Sequence, residues 1–178
     1  MAKVLLHDKY FQPYIAAADI QQRIKELAAE INSDYAGLNP LFIGILNGSF
    51  VFAADLFRAI TIKAEISFIK LASYQGTSST GNVITAIGLE DNLHGRHIII
   101  LEDIVDTGKT LYSFLPVLQQ QQPASIKVAT LLSKPEARQY EVSLSYTGFE
   151  IPDRFVVGYG LDYDKLGRNL PELYILAD

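Results

Sequence analysis

The sequence predicts an α/β fold, with a mainly parallel central sheet flanked by helices. Three observations carry this expectation. β-rich runs alternate with segments of helical composition along most of the chain. The run His97–Leu101 contains Ile98, Ile99 and Ile100 in succession, so it has no polar face and must be covered on both sides. Chemically reactive residues follow directly on strands, and open α/β sheets bind ligands outside the carboxyl ends of their strands.

In order, Ile15–Ile31 places apolar residues at Ile15, Ala18, Ile20, Ile24, Leu27, Ala28 and Ile31, the spacing of an amphipathic helix. Leu41–Leu46 reads as a buried strand, Asn47-Gly-Ser as a turn, and Phe50–Ala59 as a helix. Ala64–Leu71 is a second β-rich run. Ser73–Asn82 is small, polar and glycine-containing, so a mobile loop is expected there. Val83–Ile87 and His97–Leu101 are further strands. After the second come the polar stretch Glu102–Lys109 and a helix over Thr110–Gln122. Pro123 and Ser125 separate this helix from a strand at Ile126–Leu132, and shorter strands fit Ser143–Tyr146 and Phe155–Val157. The loops after Leu46, Leu101, Leu132 and Val157 should therefore share one face. No repeat or linker-like stretch divides the chain, which predicts one domain over residues 1–178.

Composition narrows the function classes. Fifteen basic side chains against twenty acidic ones give a formal charge of −5, which disfavours a surface built for nucleic acid. A small basic pocket for a phosphorylated metabolite is still compatible with that balance. Without cysteine there is no disulfide framework and no thiolate metal site. The opening apolar stretch is too short for a signal peptide and no run approaches a membrane span, so a soluble cytoplasmic protein is expected.

The richest segment is Glu102-Asp-Ile-Val-Asp-Thr-Gly-Lys-Thr110. Asp106–Thr110 at a helix entrance is an anion cradle. Gly108 lets the backbone bend close to a ligand, while backbone N–H groups and the Thr107 and Thr110 hydroxyls can donate to phosphate. Helix capping by Asp106 and Thr107 would explain those two residues alone. It leaves Glu102 and Asp103 unexplained: two adjacent carboxylates at the end of a buried strand need a hard cation or sugar hydroxyls to offset their desolvation. A nucleotide P-loop is excluded, because no G-x-x-x-x-G-K-[ST] pattern precedes Thr110.

Ile98–Leu111 as a whole resembles the phosphoribosyl diphosphate-binding motif of type I phosphoribosyltransferases: two acids, two apolar residues, then Asp-Thr-Gly-Lys-Thr. Phe149–Tyr163 (FEIPDRFVVGYGLDY) resembles the purine-binding segment of the hypoxanthine-guanine branch. Leu46-Asn-Gly-Ser-Phe, Ser73-Tyr74 and Leu131-Leu-Ser-Lys-Pro match in order and spacing, so the resemblance spans about Leu41 to Arg168. It implies the corresponding fold, with a small hood formed by terminal segments, and a homodimer or homotetramer.

The resemblance also implies roles. Glu102 and Asp103 would engage ribose hydroxyls and, with Asp162, Mg²⁺. Thr107, Gly108, Lys109 and Thr110 would bind the 5′-phosphate, and Asp106 would be the general base. Asn47, Gly48 and Ser49 would meet the diphosphate through backbone N–H groups, aided by the fork of Arg168. Phe155 would offer a stacking face to the purine, Lys134 a donor to its O6, and Val156 its backbone, with Asp162 beside the base as well as the metal. Ser73 and Tyr74 would belong to a closing lid. Two positions depart from the family: Asn47, where Lys or Arg is frequent, and Arg154, where some members have Lys. An RNA-binding regulatory relative would need a basic face that this chain lacks, whereas xanthine stays open as an alternative acceptor. His7, His94 and His97 show no metal-ligand spacing and receive no role.

Overall fold

The computed structural model describes residues 3–74, 83–88 and 90–177. In chain order the elements are strands β1 (Val4–Leu6) and β2 (Lys9–Ile15), helix α1 (Ala17–Asp34), strand β3 (Leu41–Leu46) and helix α2 (Phe50–Ala59). Strands β4 (Glu65–Tyr74), β5 (Val83–Ile87) and β6 (His97–Val105) precede helix α3 (Lys109–Gln119). Strands β7 (Ser125–Ser133), β8 (Tyr146–Glu150), β9 (Val156–Val157) and β10 (Leu173–Leu176) complete the chain. The central sheet has the order β5-β4-β3-β6-β7-β8, parallel except for the antiparallel edge strand β5. It is the predicted class.

The isoleucine run explains the layering. Ile98 and Ile100 pack with Leu111, Phe114 and Leu118 of α3, while Ile99 and Leu101 pack with Ile20, Ile24 and Leu27 of α1 and Phe52 and Leu56 of α2. A period of two thus feeds two cores from one strand. Each fully buried Leu, Ile or Phe contributes about 1.5–3 kcal/mol relative to exposure.

A second, antiparallel sheet of order β1-β2-β10-β9 forms the hood. Its terminal strands were not separable by pattern. β2 alternates weakly (Phe11 is its one buried residue) and carries Pro13, which patterning reads as a strand breaker. Val157 lies in this sheet, opposite Tyr174, so the loop after it belongs to the hood rather than to the parallel sheet.

Other boundaries moved for physical reasons. β6 runs on to Val105 because its ladder with β7 continues, Glu102 opposite Thr130 and Ile104 opposite Leu132. Glu102 and Asp103 therefore stand on a strand, not in a loop. β4 extends through Ser73 and Tyr74, which pair with Ile84 and Val83, so these two residues are not loop. The rest of the expected mobile segment, 75–82, lies outside the described residues. α3 ends at Gln119 rather than Gln122: Pro116 withholds an N–H within the helix, and Gln122 turns at φ 54°. β8 begins at Tyr146, displaced from Ser143, with Arg23 of α1 donating to the Thr147 and Gly148 carbonyls at 2.8 and 3.0 Å.

Candidate active site

The period of two that layers the core also sorts the two acids. Glu102 continues the Ile98–Ile100 side and lines a cavity of about 90 Å³ with Asp106, Thr107, Gly108, Lys109 and Thr110. Asp103 continues the Ile99–Leu101 side and lines a neighbouring cavity of about 220 Å³ with Asp106, Lys134, Phe155, Val156, Leu161 and Asp162. The alternation slips at Ile104, which borders both cavities and packs on the α1–α2 side. The acids read together in the sequence thus face different chambers, and Asp106 stands where the chambers meet.

The smaller chamber is built by pulling carbonyls away from it. The Val105 carbonyl accepts from the Lys134 N–H at 3.0 Å, the Asp106 carbonyl from Arg138 Nε at 3.3 Å, and the Thr107 carbonyl from the Gln139 and Tyr140 N–H groups at 3.0 Å each. A trans peptide points its N–H opposite its C=O. The N–H groups of Thr107 and Gly108 therefore turn forward, and among the described residues neither takes a backbone acceptor. Gly108 holds φ 84° and sits 2.8–2.9 Å, measured from a Cβ it lacks, from the Tyr140 carbonyl and the Arg138 side chain. No other residue type fits there. With α3 starting at Lys109, these donors and the helix N-terminus form an anion site. The capping seen is minor: the Lys109 N–H meets Thr107 Oγ1 at 3.3 Å.

The larger chamber joins the hood to the sheet. Lys134 is buried, and its Nζ lies 3.2 Å from Asp106 Oδ2 and 3.3 Å from Asp153 Oδ1. Phe155 is 44% exposed and leaves a ring face available. It packs with Phe11 at 6.1 Å and edge-on with Tyr163 at 5.8 Å, whose hydroxyl donates to Asp8 at 2.7 Å. Val156 is held by β10, opposite Ile175. His7 packs against Tyr163 and His97 meets Ser125 Oγ at 2.8 Å, both structural contacts. Sequence reading missed Phe11, Asp153, Tyr163, Ile104, Leu161 and Arg138. Each supports another site residue or lines a chamber, and only the fold reveals such positions.

Asn47–Ser49 closes a third side. The Leu46–Asn47 peptide is cis, Asn47 is exposed, and the N–H groups of Gly48 and Ser49 take no backbone carbonyl among the described residues. Ser49 Oγ is turned inward, donating to the Ile45 carbonyl at 2.6 Å, so only its backbone is available to a ligand. A Cβ on Gly48 would overlap the Asp103 carboxylate. Arg168 pairs with Asp162 at 2.7 Å and donates to the Gly160 carbonyl at 2.6 Å. The Asp162 carboxylate also accepts from the Lys165 N–H at 2.7 Å.

Burial dominates the electrostatics. It pushes the Glu102 carboxyl well above its usual range, and the charge of Asp103 adds to this. Burial likewise pushes Asp103 up to about 6, with the Ile104 N–H and Arg168 opposing and Asp162 adding. Oxygen-only donors of this kind fit a hard divalent cation. The described residues do not, however, bring three acidic or histidine ligands into one cluster, so Glu102, Asp103 and Asp162 form no three-carboxylate cage. Asp103 and Asp162, which share the larger chamber, are the two that converge. Mg²⁺ usually keeps several waters and binds one or two carboxylates plus substrate oxygens, so two suffice.

Comparison with known proteins gives this geometry its family. A model of the phosphoribosyl transferase domain matches residues 15–164. The hypoxanthine-guanine phosphoribosyltransferase of Streptococcus pneumoniae is 43% identical over 161 residues, covering 90% of this chain and 89% of that protein. The Bacillus subtilis protein of the same name is 42% identical, with 91% of each chain covered. A hypoxanthine-guanine-xanthine phosphoribosyltransferase from Tritrichomonas foetus is 43% identical over 90% of this chain and 88% of its own. The crystal structure of a Staphylococcus aureus hypoxanthine phosphoribosyltransferase superposes with a TM-score of 0.87 at 38% identity, covering 93% of this chain and 91% of that one. The chain belongs to the phosphoribosyl transferase family, among its hypoxanthine-guanine members.

Proposed function

We propose that the chain transfers the 5-phosphoribosyl group of phosphoribosyl diphosphate to N9 of hypoxanthine or guanine, releasing diphosphate. One observation carries this most: an anion chamber and an aromatic-lined chamber meet at a single carboxylate, Asp106. The first suits a sugar phosphate. The second offers Phe155 for stacking, the Val156 backbone for the base edge and Lys134 for O6. Glu102 and Asp103, whose burial is unfavourable without partners, suit the two ribose hydroxyls between the chambers. The name of the Tritrichomonas foetus relative favours keeping xanthine as a further acceptor.

The 5′-phosphate rests on the Thr107–Thr110 N–H groups and fixes the sugar for in-line attack. As N9 forms its bond to C1′, the C1′–O bond breaks and its electron pair leaves with diphosphate. Backbone N–H groups of Gly48 and Ser49 and the guanidinium of Arg168 receive that charge. Lys134 moves from Asp106 to the purine O6, which frees the Asp106 carboxylate to take the N7 proton. Mg²⁺, held by Asp103 and Asp162 with the substrate's own oxygens, would neutralise the leaving diphosphate. Ser73 and Tyr74, at the end of β4, belong to the segment that closes over the site and keeps water from the activated sugar.

Residues 1–178 act as one domain, in a homodimer or homotetramer in the cytoplasm. No described helix is long and apolar enough to cross a membrane, and the acidic balance disfavours a nucleic-acid partner. Diphosphate release with phosphoribosyl diphosphate, Mg²⁺ and each base in turn tests the reaction. Turnover is expected with hypoxanthine and guanine; none with any 6-oxopurine removes the assignment.

A further inference from the structure

Three consecutive residues between β9 and Asp162 hold positive φ: Gly158 at 98°, Tyr159 at 48° and Gly160 at 100°. Glycine takes such angles freely, whereas a tyrosine does so only where its surroundings hold it. The Tyr159 ring is buried, and its hydroxyl donates to Asp55 Oδ2 at 2.5 Å. The same oxygen accepts from Gln21 Nε2 at 2.6 Å. Asp55 lies on α2, the helix that starts directly behind the Asn47–Ser49 turn. Gly160 meanwhile packs so closely on the Gly48 carbonyl that a Cβ would overlap it. The turn leading to Asp162 is therefore tied to the diphosphate turn twice, backbone on backbone and side chain to helix.

On the phosphoribosyl-transfer reading above, we infer that Tyr159 is a positioning residue that sets the Gly158–Asp162 turn against the Asn47–Ser49 turn. The carboxylate, guanidinium and backbone donors facing the diphosphate thereby keep one geometry. Tyr159 and Asp55 line neither chamber, so their influence passes through the backbone they hold. The purine side is secured independently: Val156 pairs with Ile175, and the Phe155 carbonyl accepts from the Leu176 N–H at 2.9 Å. The turn also brings Leu161 and Asp162 to the larger chamber, but the stacking ring and the base-edge backbone are held by β10, so the device acts first on the diphosphate side.

Tyr159→Phe keeps the ring and the backbone angle while removing the hydroxyl. Hydrogen exchange of the ligand-free full chain, read by mass spectrometry, should quicken both in 50–53, where the Phe50 and Ala53 N–H groups donate to the Asn47 and Ser49 carbonyls, and in 158–162, and stay unchanged in β6 and β7. The KM for phosphoribosyl diphosphate should rise about tenfold, the size of one hydrogen bond to a charged group. The KM for the purine should stay within about twofold; a general loss of folding would lower the active fraction and hence the apparent kcat, and would move neither KM. Asp55→Asn, with Tyr159 intact, keeps an oxygen acceptor for the hydroxyl and should leave both readouts close to those of the parent. Exchange that quickens at 158–162 alone, a uniform loss toward both substrates, or an unmoved KM for phosphoribosyl diphosphate each overturns the inference. If the parent transfers no phosphoribosyl group, the exchange result still decides the role of Tyr159, and only the reaction assignment falls.

Discussion

Asp106 is half-exposed, and among the described residues its side chain pairs with the buried Lys134, 3.2 Å away. Lys134 occupies one carboxylate oxygen until it finds another acceptor, so purine binding and the freeing of that oxygen are one event. Asp106→Asn keeps the shape and removes the proton acceptor. Turnover should fall about 100-fold or more, with phosphoribosyl diphosphate affinity by calorimetry nearly unchanged. Near-normal turnover would exclude Asp106 as the base. Arg138 tests a different idea, that the anion chamber is made from behind. Its guanidinium meets the Asp106 carbonyl at 3.3 Å, the Val142 carbonyl at 3.5 Å and Ser133 Oγ at 3.0 Å, a fork that lysine cannot copy. Arg138→Lys and Arg138→Ala should therefore both raise the KM for phosphoribosyl diphosphate, by about tenfold, while kcat changes less. Full rescue by lysine would show that charge alone matters there.

Strand β6 explains which parts of the site were legible. Its isoleucines announce a doubly covered strand, and Asp106–Thr110 announces an anion site, because both depend on local pattern. The separation of Glu102 from Asp103 depends on how far the ladder with β7 runs, which no local pattern states. β9 falls inside the strand expected at Phe155–Val157, whereas β1, β2 and β10 are hidden for a similar reason: β2 pairs with β10, from the opposite end of the chain. Phe11 and Asp153 act through such long-range contacts, and Arg138 reaches the Asp106 carbonyl in the same way. Placing Asp103 in the strand also gives a pH test. Its folded-state pKa, about 6, lies above the ordinary 3.8, so the folded chain binds that proton more tightly than the unfolded one. This favourable contribution is full below the unfolded value and is lost as pH rises through about 6. Asp103→Asn should then be more stable than the parent at neutral pH, by about 3 kcal/mol at most, with the gap closing toward pH 4. Urea denaturation across that range measures it. A gap that widens on acidification would contradict the burial assigned to Asp103.

For the molecule as a whole, the question is what the hood and the sheet hold in common. Asp162 arrives from the hood side and Asp103 from the end of β6, and Arg168 pairs with Asp162 while lowering the Asp103 carboxyl. Two carboxylates with a guanidinium between them make a weak site for a free divalent cation, because the arginine already offsets their charge. A substrate diphosphate changes this: it attracts Arg168 and brings its own oxygens to the cation. Cation and phosphoribosyl diphosphate should therefore bind cooperatively, and neither should stabilise the chain much alone. In thermal unfolding, millimolar Mg²⁺ alone should leave the midpoint nearly unchanged, and phosphoribosyl diphosphate in EDTA should raise it only slightly. Both together, at about 100 times the dissociation constant, should add about 2.7 kcal/mol, or about 5–10 °C for a chain of this size. Strong stabilisation by Mg²⁺ alone would mean that the acids converge into a cage that the ligand-free arrangement lacks. Equal stabilisation with and without EDTA would mean that backbone donors and Arg168 hold the diphosphate unaided, leaving Asp103 and Asp162 to the sugar.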